Sequence, residues 1–311
     1  MKHLSAWIFS CGLWLSWPAQ ALENRANFDV SLGYREDRLS WNIANDLSGT
    51  TTPNILSELT WTSLRIAQLK LGADYTHRSG IHLQGSADYG QIDKGDNQDS
   101  DYFGDNRTLE FSRSNNKTDG DNVRDASVAV GYRIAAFEDN RRSNTYTTLL
   151  LGYSRHEQRL RITGGNQTIP ATGPFAGLDS TYETRWKGPW VGLHLLSEER
   201  NGFASFLNLE HHKADYSAEA DWNLRTDFQH PVSYTHSADG AGDGVAIGFI
   251  AGRRDDKPER WVMTFTWEYQ RWTTDPGLDR TFFSDGTTAD TRLNDVTWTS
   301  SSVSLGLQRR F

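Results

Sequence analysis

The sequence predicts an all-β fold, a transmembrane antiparallel β-barrel of about ten strands with short periplasmic turns and long extracellular loops. Three observations carry that expectation. An export signal precedes a polar chain, apolar and polar side chains alternate with a period of two, and short and long connections alternate in regular order.

The signal is read first. Met1-Lys2-His3 is followed by an apolar stretch from Leu4 to Trp17 and by Ala19-Gln20-Ala21. A basic start, an apolar middle and small residues at the end make a secretory signal with cleavage expected after Ala21. The fourteen residues from Leu4 to Trp17 fall short of the roughly 20 that a membrane helix needs. Residues 1–21 are therefore assigned to the signal and 22–311 to a single barrel domain. Cys11 is the one cysteine and lies inside the signal, so no disulfide framework is expected. Without Lys2, 31 basic residues face 40 acidic ones, which argues against nucleic acid as a partner.

Composition alone sets up a conflict. Mean hydropathy is −0.66, yet the chain carries twelve tryptophans, nine of them beyond the signal. A barrel resolves it, because only alternate residues meet lipid and aromatic girdles mark the two interfaces. Localisation in the outer membrane follows from export plus that architecture.

Strand pattern supplies the detail. Between Trp261 and Arg271, Trp261, Met263, Phe265, Trp267 and Tyr269 share one face, and Val262, Thr264, Thr266, Glu268 and Gln270 the other. Apolar outside and polar inside is what lipid around a wet lumen requires. Similar alternation runs through Phe28–Arg35, Ser127–Ile134 and Val245–Ala251. Short turns are expected near Thr76–Gly80, Glu138–Asn144, Glu199–Gly202 and Arg254–Glu259, where polar residues cluster with Gly, Asn, Asp or Pro. Long connections are expected near Asp37–Asn54, Gln91–Arg124, Thr163–Ser180, Lys213–Gly242 and Thr273–Val296, which places both termini on the turn side. The chain closes with an alternating strand ending in Phe311, the mark read by barrel-assembly machinery, with Arg309 interrupting its apolar face.

At these strands the sequence resembles the omptin superfamily of outer-membrane peptidases. The stretches are Leu56-Ser57-Glu58-Leu59-Thr60-Trp61, Gly72-Ala73, Gly85-Ser86-Ala87, and Tyr182-Glu183-Thr184-Arg185-Trp186-Lys187-Gly188-Pro189-Trp190-Val191-Gly192-Leu193. Within that superfamily it looks closest to the Protochlamydia-type outer membrane proteins, some of them regarded as porins. The resemblance implies two aspartates on one rim, and Asp99-Ser100-Asp101-Tyr102 is similar to that motif. It also implies an Asp-x-His pair on the opposite rim, which activates water together with the aspartates. Here the pair falls on Asp221-Trp222-Asn223, and an amide cannot act as a base. His230, in the same loop, is the one residue placed to replace it. The resemblance further implies lipopolysaccharide contact through an outer-wall tyrosine and basic residues, matched by Tyr153, Arg159, Arg185 and Lys187. Bidentate pairing of Arg with phosphate is the physical reason.

Other chemistry is less favoured. Asp93, Asp96, Asp99, Asp101, Asp105, Asp119, Asp121 and Asp125, with Arg107, Arg113 and Arg124 among them, read as a solvated acidic loop. A negative rim for basic peptides or a calcium site are its functional alternatives. Asp239–Gly244 lacks the lysine of a phosphate-binding loop, and adjacent His211 and His212 point to opposite strand faces, so neither cofactor nor metal is expected. His236-Ser237 shows no third partner for a hydrolase. Three readings remain: a surface barrel binding lipopolysaccharide and basic peptides, an omptin-type endopeptidase using Asp99, Asp101, Asp221 and His230, and a small channel lined by Thr264, Thr266, Glu268 and Gln270.

Overall fold

A computed structural model describes residues 22–139, 143–252 and 261–311 of the chain. The expected export signal, the turn expected at Arg254–Glu259 and the middle of the one expected at Glu138–Asn144 lie outside the described residues.

Thirteen strand segments form one sheet: β1 (Arg25–Ile43), β2 (Ser57–Thr76), β3 (Ile81–Gly104), β4 (Thr108–Lys117), β5 (Asn122–Asp139), β6 (Ser143–Ile169), β7 (Gly173–Pro174), β8 (Asp179–Glu199), β9 (Phe203–Asp221), β10 (Tyr234–Ala251), β11 (Trp261–Thr274), β12 (Gly277–Phe282) and β13 (Thr288–Arg310). They make ten wall strands. β4 and β5 both run between β3 and β6 and are the upper and lower parts of one interrupted strand. β11 and β12 likewise lie between β10 and β13. β7 only extends the tip of β6. β1 pairs with both β2 and β13, which closes the barrel. Phe311 completes the seam, donating its N–H to the Ala26 carbonyl at 2.8 Å.

The long connections proved to be mostly sheet. β3 has 24 residues and β6 has 27, against the roughly 9–11 that a bilayer needs. The reason is visible in β9. Its outward positions pass from Leu209 to Lys213, Asp215 and Glu219, while the inward ones pass from Asn208, Glu210 and His212 to Ala214, Tyr216, Ala218 and Ala220. Alternation never stops; its polarity reverses above the membrane. A search for apolar-out dyads therefore ends where the strands still continue.

Two regimes result. In the lower barrel the exterior is apolar: Leu32, Leu83, Val130, Leu151, Met263, Phe265 and Leu305 are exposed there. The expected facing of β11 holds, since Thr264, Thr266, Glu268 and Gln270 line an internal cavity of about 280 Å³. In the upper barrel the interior is apolar. Trp41, Trp61, Tyr182, Trp186, Trp272 and Trp298 are buried in one cluster with Leu39, Leu59, Ile66 and Val296. Between the two regimes sits a charged belt. Arg35 makes a two-pronged ion pair with Asp37 at 2.7 Å on each prong and reaches Asp125 at 2.6 Å. His156 approaches Asp125 at 3.0 Å. Asp125 thus belongs to the lumen and not to a solvated acidic loop, because its position on β5 is an inward one.

The facing of β11 makes a direct prediction. Phe265→Arg puts a guanidinium into lipid and should cost about 2–4 kcal/mol, depending on depth. Urea titration of the refolded protein in lipid measures it, and an unchanged midpoint would place Phe265 outside the membrane.

Candidate functional site

Two places in the upper barrel gather the chemistry expected from the sequence. The first is the rim. Asp99 and Asp101 share the β3 face of the buried Asn97, and the register sets Asp101 opposite Ser57 and Ser112. Burial, then the neighbouring Asp101 carboxylate, pushes Asp99 above the ordinary carboxylate range. Asp101 is raised too, because burial outweighs the lowering by the Ser57 and Ser112 hydroxyls. Tyr234, buried at the top of β10, is raised first by burial and then by the Asp99 charge.

Facing them is the loop between β9 and β10. His230 folds back onto the end of β9, with Nδ1 2.5 Å from Asp221 Oδ1. Its Nε2 lies 3.2 Å from the Arg225 carbonyl. Both partners are acceptors, so a ring that serves both carries two protons. The hydrogen bond to Asp221 accordingly raises the His230 pKa. Arg225 donates to both oxygens of Asp227 at 2.9 and 2.8 Å and lies 4.0 Å over the Phe228 ring. Its positive charge favours the ionised forms of Asp99 and Asp101. The rim therefore brings Asp221 to His230 and sets Arg225 within electrostatic reach of the paired aspartates.

Asn223 has a different occupation. Its Oδ1 accepts from the Asp179 N–H at 2.9 Å and the Ser180 hydroxyl at 3.0 Å, and its Nδ2 donates to the Gly177 carbonyl at 2.7 Å. It ties two loops together.

The second place is the outer wall above the apolar band. Odd-numbered residues of β6 and β8 face outward there, and the register sets Arg155 beside Lys187, Glu157 beside Arg185 and Arg159 beside Glu183. Arg155 and Arg185 both donate to Glu157, the latter at 2.9 Å. Arg159 reaches Glu183 at 2.9 Å and Asp121 at 3.3 Å. Arg124, Arg155, Glu157, Arg159, Glu183 and Arg185 line a groove of about 300 Å³. Tyr153 is exposed on the same wall, two residues below Arg155. One carboxylate holding two guanidiniums side by side engages one nitrogen of each, and an arginine pair of this kind is suited to phosphate.

Sequence reasoning missed other parts. His236 is buried, with Nε2 3.0 Å from Asp279 and Nδ1 2.8 Å from the Tyr182 hydroxyl, which in turn meets Tyr216 at 2.7 Å. The partner Asp279 comes from β12, far along the chain, and no local spacing reveals it. Arg225 was also missed, since a lone arginine in a polar loop carries no signal. His211 and His212 do point to opposite faces: His211 pairs outside with Asp243, and His212 pairs inside with Glu210 and Ser154. Among the described residues no three His, Cys, Asp or Glu side chains gather to hold a metal ion.

A closed barrel of ten wall strands, apolar outside below and with a paired-aspartate rim above, defines an outer-membrane β-barrel. The chain belongs to the Protochlamydia outer membrane protein family, whose model matches residues 29–311. Among solved structures it is similar to the outer membrane protease OmpT from Escherichia coli, at 13% identity and a TM-score of 0.70, covering 92% of this chain and 97% of that one. OprG from Pseudomonas aeruginosa is similar at 12% identity and a TM-score of 0.34, covering 92% of this chain and 97% of that one. No curated relative matches the chain in sequence. The protein resides in the outer membrane.

Proposed function

We propose that this barrel binds lipopolysaccharide on its outer wall and presents an acidic rim to basic peptides, without cleaving them at neutral pH. The groove lined by Arg124, Arg155, Arg159 and Arg185 supports the first part. It lies above the lipid-facing band, where phosphorylated headgroups are expected, and Glu157 accepts hydrogen bonds from two of its guanidiniums. The filled upper lumen argues against the channel reading, because an apolar plug spans the barrel above the polar cavity.

Changing both Arg185 and Lys187 to Ala should weaken lipopolysaccharide binding about tenfold or more, the loss of at least one charge-assisted hydrogen bond of about 1.5 kcal/mol. The residual binding should respond less to salt. Titration of refolded protein with purified lipopolysaccharide at two ionic strengths reads both effects. Unchanged affinity and salt dependence would reduce the two residues to interface anchors.

The contact between Asp221 and His230 favours a second reading, an omptin-type endopeptidase. In it, Asp99 and Asp101 face a histidine that Asp221 orients. The obstacle is protonation. A general base must be free to accept a proton, whereas Asp221 and the Arg225 carbonyl, both acceptors, favour the protonated form of the His230 ring. Its raised pKa means that the ion pair is present below the ordinary histidine range and is lost as pH rises through the raised value. We expect no cleavage of basic peptides at neutral pH, and any cleavage to grow under alkaline conditions. Peptide digests with native protein, His230→Ala and Asp101→Ala across that pH range provide the test. Neutral-pH activity in the native protein, absent from both variants, would establish the peptidase.

A further inference from the structure

The lower lumen holds more acid than base. Asp29, Asp74, Asp88, Glu210 and Glu268 line the cavity of about 280 Å³, with Lys70 as its lysine. Lys70 is already shared between Glu268 and Asp88, the latter at 3.6 Å. Asp125, also on this wall, is matched by Arg35 and hydrogen-bonded by His156 Nδ1. Gathered carboxylates away from bulk water are costly unless something positive meets them.

The unpaired atoms point the same way. His156 lines the cavity, is more than nine-tenths buried, and has no partner at Nε2. Its Nδ1 is taken by Asp125. With that hydrogen on Nδ1, Nε2 presents a lone pair. Asp88 Oδ1 and Asn208 Oδ1, on the same lining, are buried and unpartnered as well. All three are acceptors without a hydrogen-bond partner, so the lining as it stands is short of donors.

The spacing narrows the class of donor. Among the described residues no three acidic or histidine side chains gather around one point, so a single small metal ion has no coordination shell here. The carboxylates are instead spread over β1, β2, β3, β9 and β11. A linear molecule carrying ammonium groups along its length can meet separated acceptors, each ammonium supplying up to three N–H donors. We propose that the lower lumen is a binding site for an aliphatic di- or polyamine. The site is separate from the acidic rim, lying on the other side of the aromatic plug.

Equilibrium dialysis of spermidine against lipopolysaccharide-free, refolded protein tests this. One equivalent should be retained per barrel, and spermidine should raise the thermal midpoint where NaCl of equal ionic strength does not. Asp88→Asn should weaken retention about tenfold or more, one lost charge-assisted contact. Ser86→Leu keeps every charge, fills the cavity with apolar volume, and should abolish retention. Asp101→Asn, on the rim, should leave it unchanged. Retention that survives both lumen variants, or is lost with Asp101→Asn, would move the site out of the lumen and overturn the proposal. So would an absence of retention, or equal protection by MgCl2.

Discussion

Replacing Asp37 by alanine should destabilise the barrel by about 3–5 kcal/mol, the cost of breaking a buried ion pair from one side. Asp37 is fully buried and accepts four hydrogen bonds. Two come from Arg35 at 2.7 Å, one from Gln158 Nε2 at 2.8 Å and one from Trp298 Nε1 at 3.0 Å. These donors sit on β1, β6 and β13, so a single carboxylate joins three walls of the barrel. Alanine would leave the Arg35 guanidinium with Asp125 as its remaining partner and strand two further donors. Asp37→Asn should fall between the two, since it keeps the shape and loses the charge. Urea titrations of both variants in lipid, followed by tryptophan fluorescence, measure the ordering. A loss below about 1 kcal/mol in the alanine variant would mean that water relieves the stranded donors.

Trp186→Ala should cost a similar amount, about 3–5 kcal/mol, for a different reason. Its indole is fully buried and packs against Tyr216, Trp272 and Trp298 at centroid distances of 4.4, 5.7 and 6.4 Å. Removing it opens a hole in the middle of the plug, and rigid walls on every side limit collapse. Trp186→Phe should recover much of the loss, because most of the apolar volume returns. A loss well under 2 kcal/mol for the alanine variant would show that the plug repacks freely. Both measurements bear on function, because the plug separates the acidic rim from the polar lumen.

The lower half of the barrel was legible in the sequence because lipid imposes a rule that residues must obey. Trp261, Met263 and Phe265 face out and Thr264, Thr266 and Glu268 face in, in the register the alternation requires. The upper half was not read as strand, although Lys213–Asp221 alternates just as strictly. Its outward residues are polar because their surroundings are water, so it resembles a loop to a test tuned for membranes. For the site, the paired aspartates and the outer-wall arginines were visible as local motifs. The return of His230 to Asp221 was anticipated only as an option, since a loop's path depends on contacts such as those of Asn223 with Gly177 and Asp179. Asp279 beside His236 and Asp125 beside Arg35 join residues distant in sequence, and no spacing within the chain announces either pair.

The reversal of polarity along each wall has a consequence for how the molecule comes apart. One continuous hydrogen-bonded sheet answers to two solvents. Its lower ring is cohesive only while hydrocarbon surrounds it, whereas its upper ring hides its own oily centre from water as an ordinary globular protein does. Stripping away detergent should therefore attack one ring and urea chiefly the other. A barrel losing its amphiphile would fray from the periplasmic end, with the rim and the outer-wall groove the last parts to lose their shape.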